Sequence, residues 1–320
     1  MQNLKKYFFE LIDPNKTQIK YKLPFIWVFG SGAESIKRIE QIKDPLSPTH
    51  ENFRPYNEIT SFRAGFIQWS KTTSHDIVDN LTVPESYPQW LNFNKYSNLV
   101  DFELDIASIS QGVIIFSESI GAHTEIGMFS NITELHKNIL IIAPEKYIKD
   151  DNSSFFNYGA IRKIRENELS EELTNIWSLE DEFIHSYTPE QLNRLFKEIS
   201  DHFLNIITDA GNPNTKLNCN NRHHRILLLL DLIDLFPSKT KSFYIDIIEG
   251  FGISLNTKEI TNIITILDLL ELISIKNSGN NKLYSIAIKD YVSCINYQAN
   301  KPKRFERSSF KIEISEKNVN

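Results

Sequence analysis

Three short, unbroken apolar runs constrain this chain most: Pro24–Phe29, Gly112–Phe116 and Ile139–Ala143. Each is too short for a helix and lacks the alternation of a half-solvated strand, and each stops at a turn signal: Gly30-Ser-Gly32, Ser117 or Pro144. Such runs are strands covered on both faces, as inside a parallel sheet. Segments of helical spacing lie around them: Glu58–Trp69, Ser97 to about Ser110, and Thr124–Leu135. A weaker strand covers Ile77–Val83, and Asp44–Pro55 reads as a loop. Strands alternating with helices imply βαβ units, hence a Rossmann-like parallel sheet with helices on both faces. Ligands of such sheets bind beyond the carboxyl ends of the strands. Gly30, Ser31, Gly32, Glu85 and Ser117–Glu125 are therefore expected at one mouth.

The pattern changes near Ser170. Arg165–Asp181 is charged and strand-free, and from Glu190 the apolar spacing is helical. Three helices follow, Arg222–Phe236, Ser242–Phe251 and Thr257–Ile273, then a β-hairpin over Ser274–Ile286 turning at Ser278-Gly-Asn-Asn281. Three helices and a hairpin are the order of an α+β winged-helix domain. The sequence thus divides into a catalytic α/β domain over residues 1–169, a helical linker and winged helix over 170–300, and a basic tail over 301–320. A length of 320 residues suits two domains. The net charge of −6 argues against wholesale wrapping by nucleic acid. Basic residues are segregated, however, and Lys276 and Lys282 of the hairpin with Lys301, Lys303, Arg304 and Arg307 of the tail are the candidate nucleic-acid contacts.

No apolar run approaches the roughly 20 residues that cross a bilayer, and the first residues lack a signal-peptide pattern. Two cysteines, Cys219 and Cys294, are too few for a disulfide framework or a four-ligand zinc site. A cytoplasmic protein is expected, with no membrane partner and no metal.

Two carboxylates stand out for chemistry. Glu125 falls in the first turn of the helix read from Thr124, where the macrodipole favours an anion; spacing alone favours a capping glutamate. Glu118 lies seven residues earlier, so the two carboxylates could supply the nucleophile and the acid of retaining glycoside cleavage. Arg63 offers a fork for a phosphate or carboxylate. Glu103 and Asp105, two apart on a helix, cannot both face the site.

The segment Val113-Ile-Ile-Phe-Ser-Glu-Ser-Ile-Gly-Ala-His-Thr-Glu-Ile-Gly-Met-Phe-Ser130 resembles the active-site segment of the nucleoside 2-deoxyribosyltransferase-like effectors encoded beside retron reverse transcriptases. Glu118, Ser119, Gly121, Glu125, Gly127 and Phe129 match that pattern. So do Gly30-Ser-Gly32, Ser61 with Arg63, Pro84-Glu85, Phe102–Ala107 and Ser154–Gly159, a resemblance over residues 25 to 165. It departs at His123, Thr124 and Met128, which bear on pocket width. The resemblance implies Glu125 as nucleophile and Glu118 as its partner carboxylate. It also implies a substrate site drawn from Gly30, Ser31, Gly32, Arg63, Glu85, Glu103, Ser119, Gly121 and His123, with no cofactor. It further implies a toxic N-glycosidase effector of anti-phage defence, acting on NAD or a nucleotide. The expected partners are a reverse transcriptase and its RNA-linked single-stranded DNA, and an oligomer is expected. A salvage deoxyribosyltransferase and a nucleotide-sensing DNA-binding regulator are the alternatives.

Overall fold

The computed structural model describes residues 2–31, 60–73, 77–87, 98–149, 151–166, 174–208, 214–300 and 305–317. In chain order its main elements begin with α1 (Gln2–Leu11), β1 (Gln18–Ile19), β2 (Leu23–Phe29), α2 (Phe62–Thr72) and β3 (Leu81–Thr82). Next come α3 (Leu99–Ile109), β4 (Ser110–Phe116), α4 (Ile120–Phe129), β5 (Ile139–Pro144) and β6 (Ile176–Leu179). After these follow α5 (Pro189–Thr208), β7 (Thr215–Lys216), α6 (Arg222–Leu235), α7 (Lys241–Glu249) and α8 (Thr257–Leu269). The last are β8 (Ile273–Ser278), β9 (Asn281–Ile286), β10 (Ile295–Asn296) and α9 (Arg307–Lys317).

The chain forms two compact units, one of Pro24–Pro88 with Glu103–Ala210, the other of Met1–Leu23, Gln89–Phe102 and Gly211–Asn320. This division is not the linear one at residue 170. The first unit continues through β6 and α5, while residues 1–23 fold with the second.

A five-stranded sheet of order β3-β2-β4-β5-β6 centres the first unit, with parallel pairing of β2 with β3, β4 with β5 and β5 with β6. It is the α/β parallel sheet expected, with β4 and β5 wholly apolar over Val113–Phe116 and Ile139–Ala143. Alternation along β2 and β4 sends Ile26, Val28, Ile114 and Phe116 to one face, where they join Phe62 and Phe66 of α2 and Leu192, Phe196, Ile199 and Phe203 of α5. Phe29, on the other face, meets Phe129 of α4 with ring centroids 5.4 Å apart. Trp27 is core as well, its indole N–H donating to Ser110 Oγ at 2.8 Å. The sequence expectation of no strand between Arg165 and Asp181 is corrected by β6. That short edge strand buries only Ile176 and Leu179, so it shows no continuous apolar run.

The second unit carries α6, α7 and α8, then the antiparallel pair β8–β9, with Ser278 opposite Asn281 and Gly279 at φ +56 in the turn. This is the helix and hairpin order read from the sequence. An Asn256–Glu259 capping box starts α8. A small sheet of order β10-β1-β7 joins residues from distant parts of the chain. The basic tail includes a helix, α9, fastened to α6. Arg307 pairs with Asp231 at 2.9 Å and Asp234 at 2.6 Å, and Lys311 with Asp234 at 2.8 Å. Asp231, fully buried, also accepts from Ser293 at 2.6 Å and Tyr297 at 2.8 Å.

Candidate active site

In the sheet of the first unit the chain runs from β2 outward to β3 on one side and returns to β4 on the other. Where strand order reverses in this way, the loops leave a crevice at the carboxyl ends. The two loops that diverge there, Gly30-Ser31 after β2 and Ser117-Glu118 after β4, meet: Ser31 N–H donates to Glu118 Oε1 at 3.2 Å. Glu118 also accepts from Phe62 N–H at 2.8 Å and Arg63 N–H at 3.1 Å, at the start of α2. Ser61 caps that helix through Ala64 N–H.

Arg63 is buried. Its Nε donates to Val28 O at 3.0 Å, and its two terminal nitrogens take both oxygens of Glu85, Nη1 at 2.7 Å. The fork expected to meet a phosphate or carboxylate is thus already filled by a carboxylate of the same chain.

Glu125 lies on α4, which begins at Ile120 with Ser119 as N-cap, the Ser119 hydroxyl accepting from Ala122 N–H at 3.1 Å. The helix therefore starts four residues before the Thr124 expected from the sequence, because Ser119 supplies the cap. Glu125 stands in the second turn, beyond the free N–H groups. Its Oε2 is buried and has no hydrogen-bond partner, unusual for a carboxylate oxygen. Burial pushes the Glu125 carboxyl up to about 7, against the charge of Arg63 and aided by that of Glu85. Glu103 on α3 is 6% exposed and is pushed up to about 8, first by burial, then by the charges of Glu125 and Glu85, with Arg63 opposing. Burial also raises Glu118, but the backbone N–H groups of Arg63, Phe62 and Ser31 oppose it.

Glu125, Glu103, Glu85, Glu118 and Arg63 are therefore one electrostatic group, four acids around one cation. Gly30 and Ser31 line its edge, and Ser119 and Gly121 belong to the cap and first turn of α4. His123 is not part of it. Two residues before Glu125, it turns to the opposite side of the helix, its ring 4.9 Å from Phe156 and 5.7 Å from Tyr147. Gly32 lies outside the described residues. Ser117, expected at the mouth but given no role from sequence, follows β4 with a buried hydroxyl that has no partner. Its signal is its place directly after the clearest strand. Among the described residues no group of three or more His, Cys, Asp or Glu side chains is arranged to hold a metal ion.

Of the expected nucleic-acid contacts, Lys276 and Lys282 are on β8 and β9, both exposed, and the register, with Lys276 opposite Leu283 and Lys282 opposite Asn277, sets them on opposite faces of the hairpin. Lys301, Lys303 and Arg304 lie outside the described residues. Arg307 is spent on Asp231 and Asp234, so it does not present a free cation. No helix among the described residues is long and apolar enough to cross a membrane.

A parallel α/β sheet with a carboxylate cluster at its strand reversal, joined to a helical α+β unit, defines the class of protein. The pattern of the STM3845 retron effector protein family matches residues 59–275, and the chain belongs to that family. It is thus a retron-associated effector. The "Retron Ec73 putative ribosyltransferase/DNA-binding protein" of Escherichia coli is 36% identical over 67 residues, 21% of this chain and 21% of the relative. The "Retron Ec86 putative ribosyltransferase/DNA-binding protein" of Escherichia coli is 28% identical over 116 residues, 36% of this chain and 34% of the relative. The matched stretches thus span a fifth to a third of these relatives.

Proposed function

We propose that this chain cleaves the N-glycosidic bond of NAD or a nucleotide with Glu125 as nucleophile and Glu103 as proton donor. The observation that carries the proposal is the buried, unpartnered Oε2 of Glu125 beside a second buried carboxyl, Glu103, which burial and the charges of Glu125 and Glu85 push up to about 8. Two carboxyls pushed to different values by their surroundings divide into base and acid roles. The Glu125 oxygen bonds to the anomeric carbon as the C–N bond breaks, its electron pair leaving with the base. A neutral base takes the Glu103 proton. A nicotinamide leaves as a neutral ring from its cationic form and needs none. Water then opens the glycosyl ester and frees the Glu125 carboxylate; its proton returns to Glu103 where a neutral base has taken the Glu103 proton, and passes to solvent where nicotinamide has left. Four acids around one already paired cation also favour a cationic leaving group over an anionic one. The ribosyltransferase wording in the relatives' names fits this chemistry.

The second unit, as a winged helix, docks the reverse transcriptase and its RNA-linked DNA. Lys276 and Lys282 on the hairpin and the exposed Lys258 and Thr261 of α8 support backbone-dominated contact. The test is Glu125→Gln, which removes the nucleophile's charge while nearly preserving its shape. Base release from NAD and a nucleoside panel is expected to fall at least about 1000-fold with unchanged thermal unfolding. Unchanged release refutes the assignment.

A further inference from the structure

Glu118 sits beside the proposed nucleophile's helix, yet its surroundings give it a different task from proton transfer. Both of its oxygens accept backbone N–H bonds, Oε1 from Ser31 at 3.2 Å and Arg63 at 3.1 Å, Oε2 from Phe62 at 2.8 Å. Three donated N–H bonds favour the carboxylate over the acid and oppose the rise that burial causes. Two of the donors are the first N–H groups of α2, which a helix leaves unpaired and which attract an anion. The third belongs to the turn after β2. That turn is packed against the same assembly: a Cβ on Gly30, at φ +155, would stand 2.9 Å from Arg63 Cβ and 2.9 Å from Glu118 Oε1. Beyond these contacts the Arg63 side chain runs to Val28 O and Glu85, and its charge is the one that opposes the burial of Glu125.

We propose that Glu118 is a positioning residue: its carboxylate ties the turn after β2 to the start of α2, and so fixes the Arg63 guanidinium through which it acts on Glu125. The rate consequences rest on the glycosyl-transfer function proposed above; the effect on Glu125 does not. Glu118→Gln puts an NH2 group against backbone donors, loosens the start of α2 and weakens the hold on Arg63. Glu125 then loses part of the opposing positive charge and keeps its proton to higher pH. A structural loss of this kind slows all substrates alike, whereas removing a proton donor spares cationic leaving groups.

The experiment titrates the full-length chain carrying 13C-labelled glutamate. The Glu125 δ-carbon signal is identified by its loss in Glu125→Gln and followed in wild type, Glu118→Gln, Glu118→Asp and Gly30→Ala. The Glu125 midpoint is expected to rise by about half a unit or more in Glu118→Gln and Gly30→Ala, with Glu118→Asp in between. Base release from NAD and from an adenine nucleoside is expected to fall by a similar factor, roughly 10- to 100-fold for both. An unmoved Glu125 midpoint, or a loss confined to the adenine nucleoside, overturns the proposal and returns Glu118 to proton transfer. If Glu118→Gln does not fold, Gly30→Ala and Glu118→Asp decide by the same midpoint. If wild type releases no base from any substrate, the glycosyl-transfer function fails, and the Glu125 midpoint alone decides the role of Glu118.

Discussion

The pH dependence of base release tests the division of labour between Glu125 and Glu103. In the proposed mechanism the productive state has Glu125 ionised and Glu103 protonated. As pH falls through about 7, Glu125 takes up its proton and loses nucleophilicity; as pH rises through about 8, Glu103 loses the proton it must give. With those two values, about 60% of molecules are productive at pH 7.5 and about a tenth at pH 6 or pH 9. The kcat/KM for a nucleoside with a neutral base is therefore expected to be bell-shaped, peaking near 7.5 and falling roughly sevenfold about 1.5 units to either side. Glu103→Gln removes the proton donor and should erase the alkaline limb while lowering the plateau. With NAD, whose leaving group needs no proton, the alkaline limb should be shallow even in wild type. The assay is initial-rate base release from pH 5 to 10 for both substrates and both chains. A flat wild-type profile, or an alkaline limb that survives in Glu103→Gln, would refute the reasoning.

Three further outcomes follow from ion pairs and exposed cations. Arg63→Met leaves Glu85, with a side chain 10% exposed, buried without its partner. It should cost roughly 3–5 kcal/mol in urea unfolding, much of it regained in Arg63→Met with Glu85→Leu; a cost below 1 kcal/mol would contradict the buried pairing. Arg307→Ala should cost roughly 2–4 kcal/mol, discounted for its 23% exposed side chain, and speed amide exchange across α9. Unchanged exchange would show that other contacts hold the helix. Replacing Lys276 and Lys282 by Ala should flatten the salt dependence of binding to RNA-linked DNA by about one unit of slope for each phosphate left without its lysine. An unchanged slope would make the hairpin a protein-docking element.

How far these features are legible in the sequence depends on how local their causes are. The strands β4 and β5 show themselves because Val113–Phe116 and Ile139–Ala143 are buried on both faces. The hairpin shows itself because Ser278-Gly-Asn-Asn281 is turn chemistry. The strand β6 does not, because this edge strand buries only its two end residues, Ile176 and Leu179. The start of α4 is ambiguous in the sequence because Ser119 and Thr124 are both capping residues, and only the bond to Ala122 chooses between them. Glu125 is marked by its place after β4. The role of Glu118 is not, since its donors lie 55, 56 and 87 residues away. The same holds for Arg63, whose fork looks free until Glu85, 22 residues on, is seen to occupy it.

The fastening of α9 has a consequence for the order in which the molecule is made. Tyr7 of α1 donates to Glu313 of α9, and Phe8 packs against Phe236 and Phe310. The core of the second unit therefore cannot close until residue 310 has left the ribosome, long after Phe8. The unit that holds Glu125 comprises residues 24–88 and 103–210, all synthesised earlier, and units of this size generally fold as they emerge. By that order the carboxylate cluster assembles on the nascent chain while the second unit is still incomplete. A chain halted before α9 would carry the acids without the closed core of the second unit.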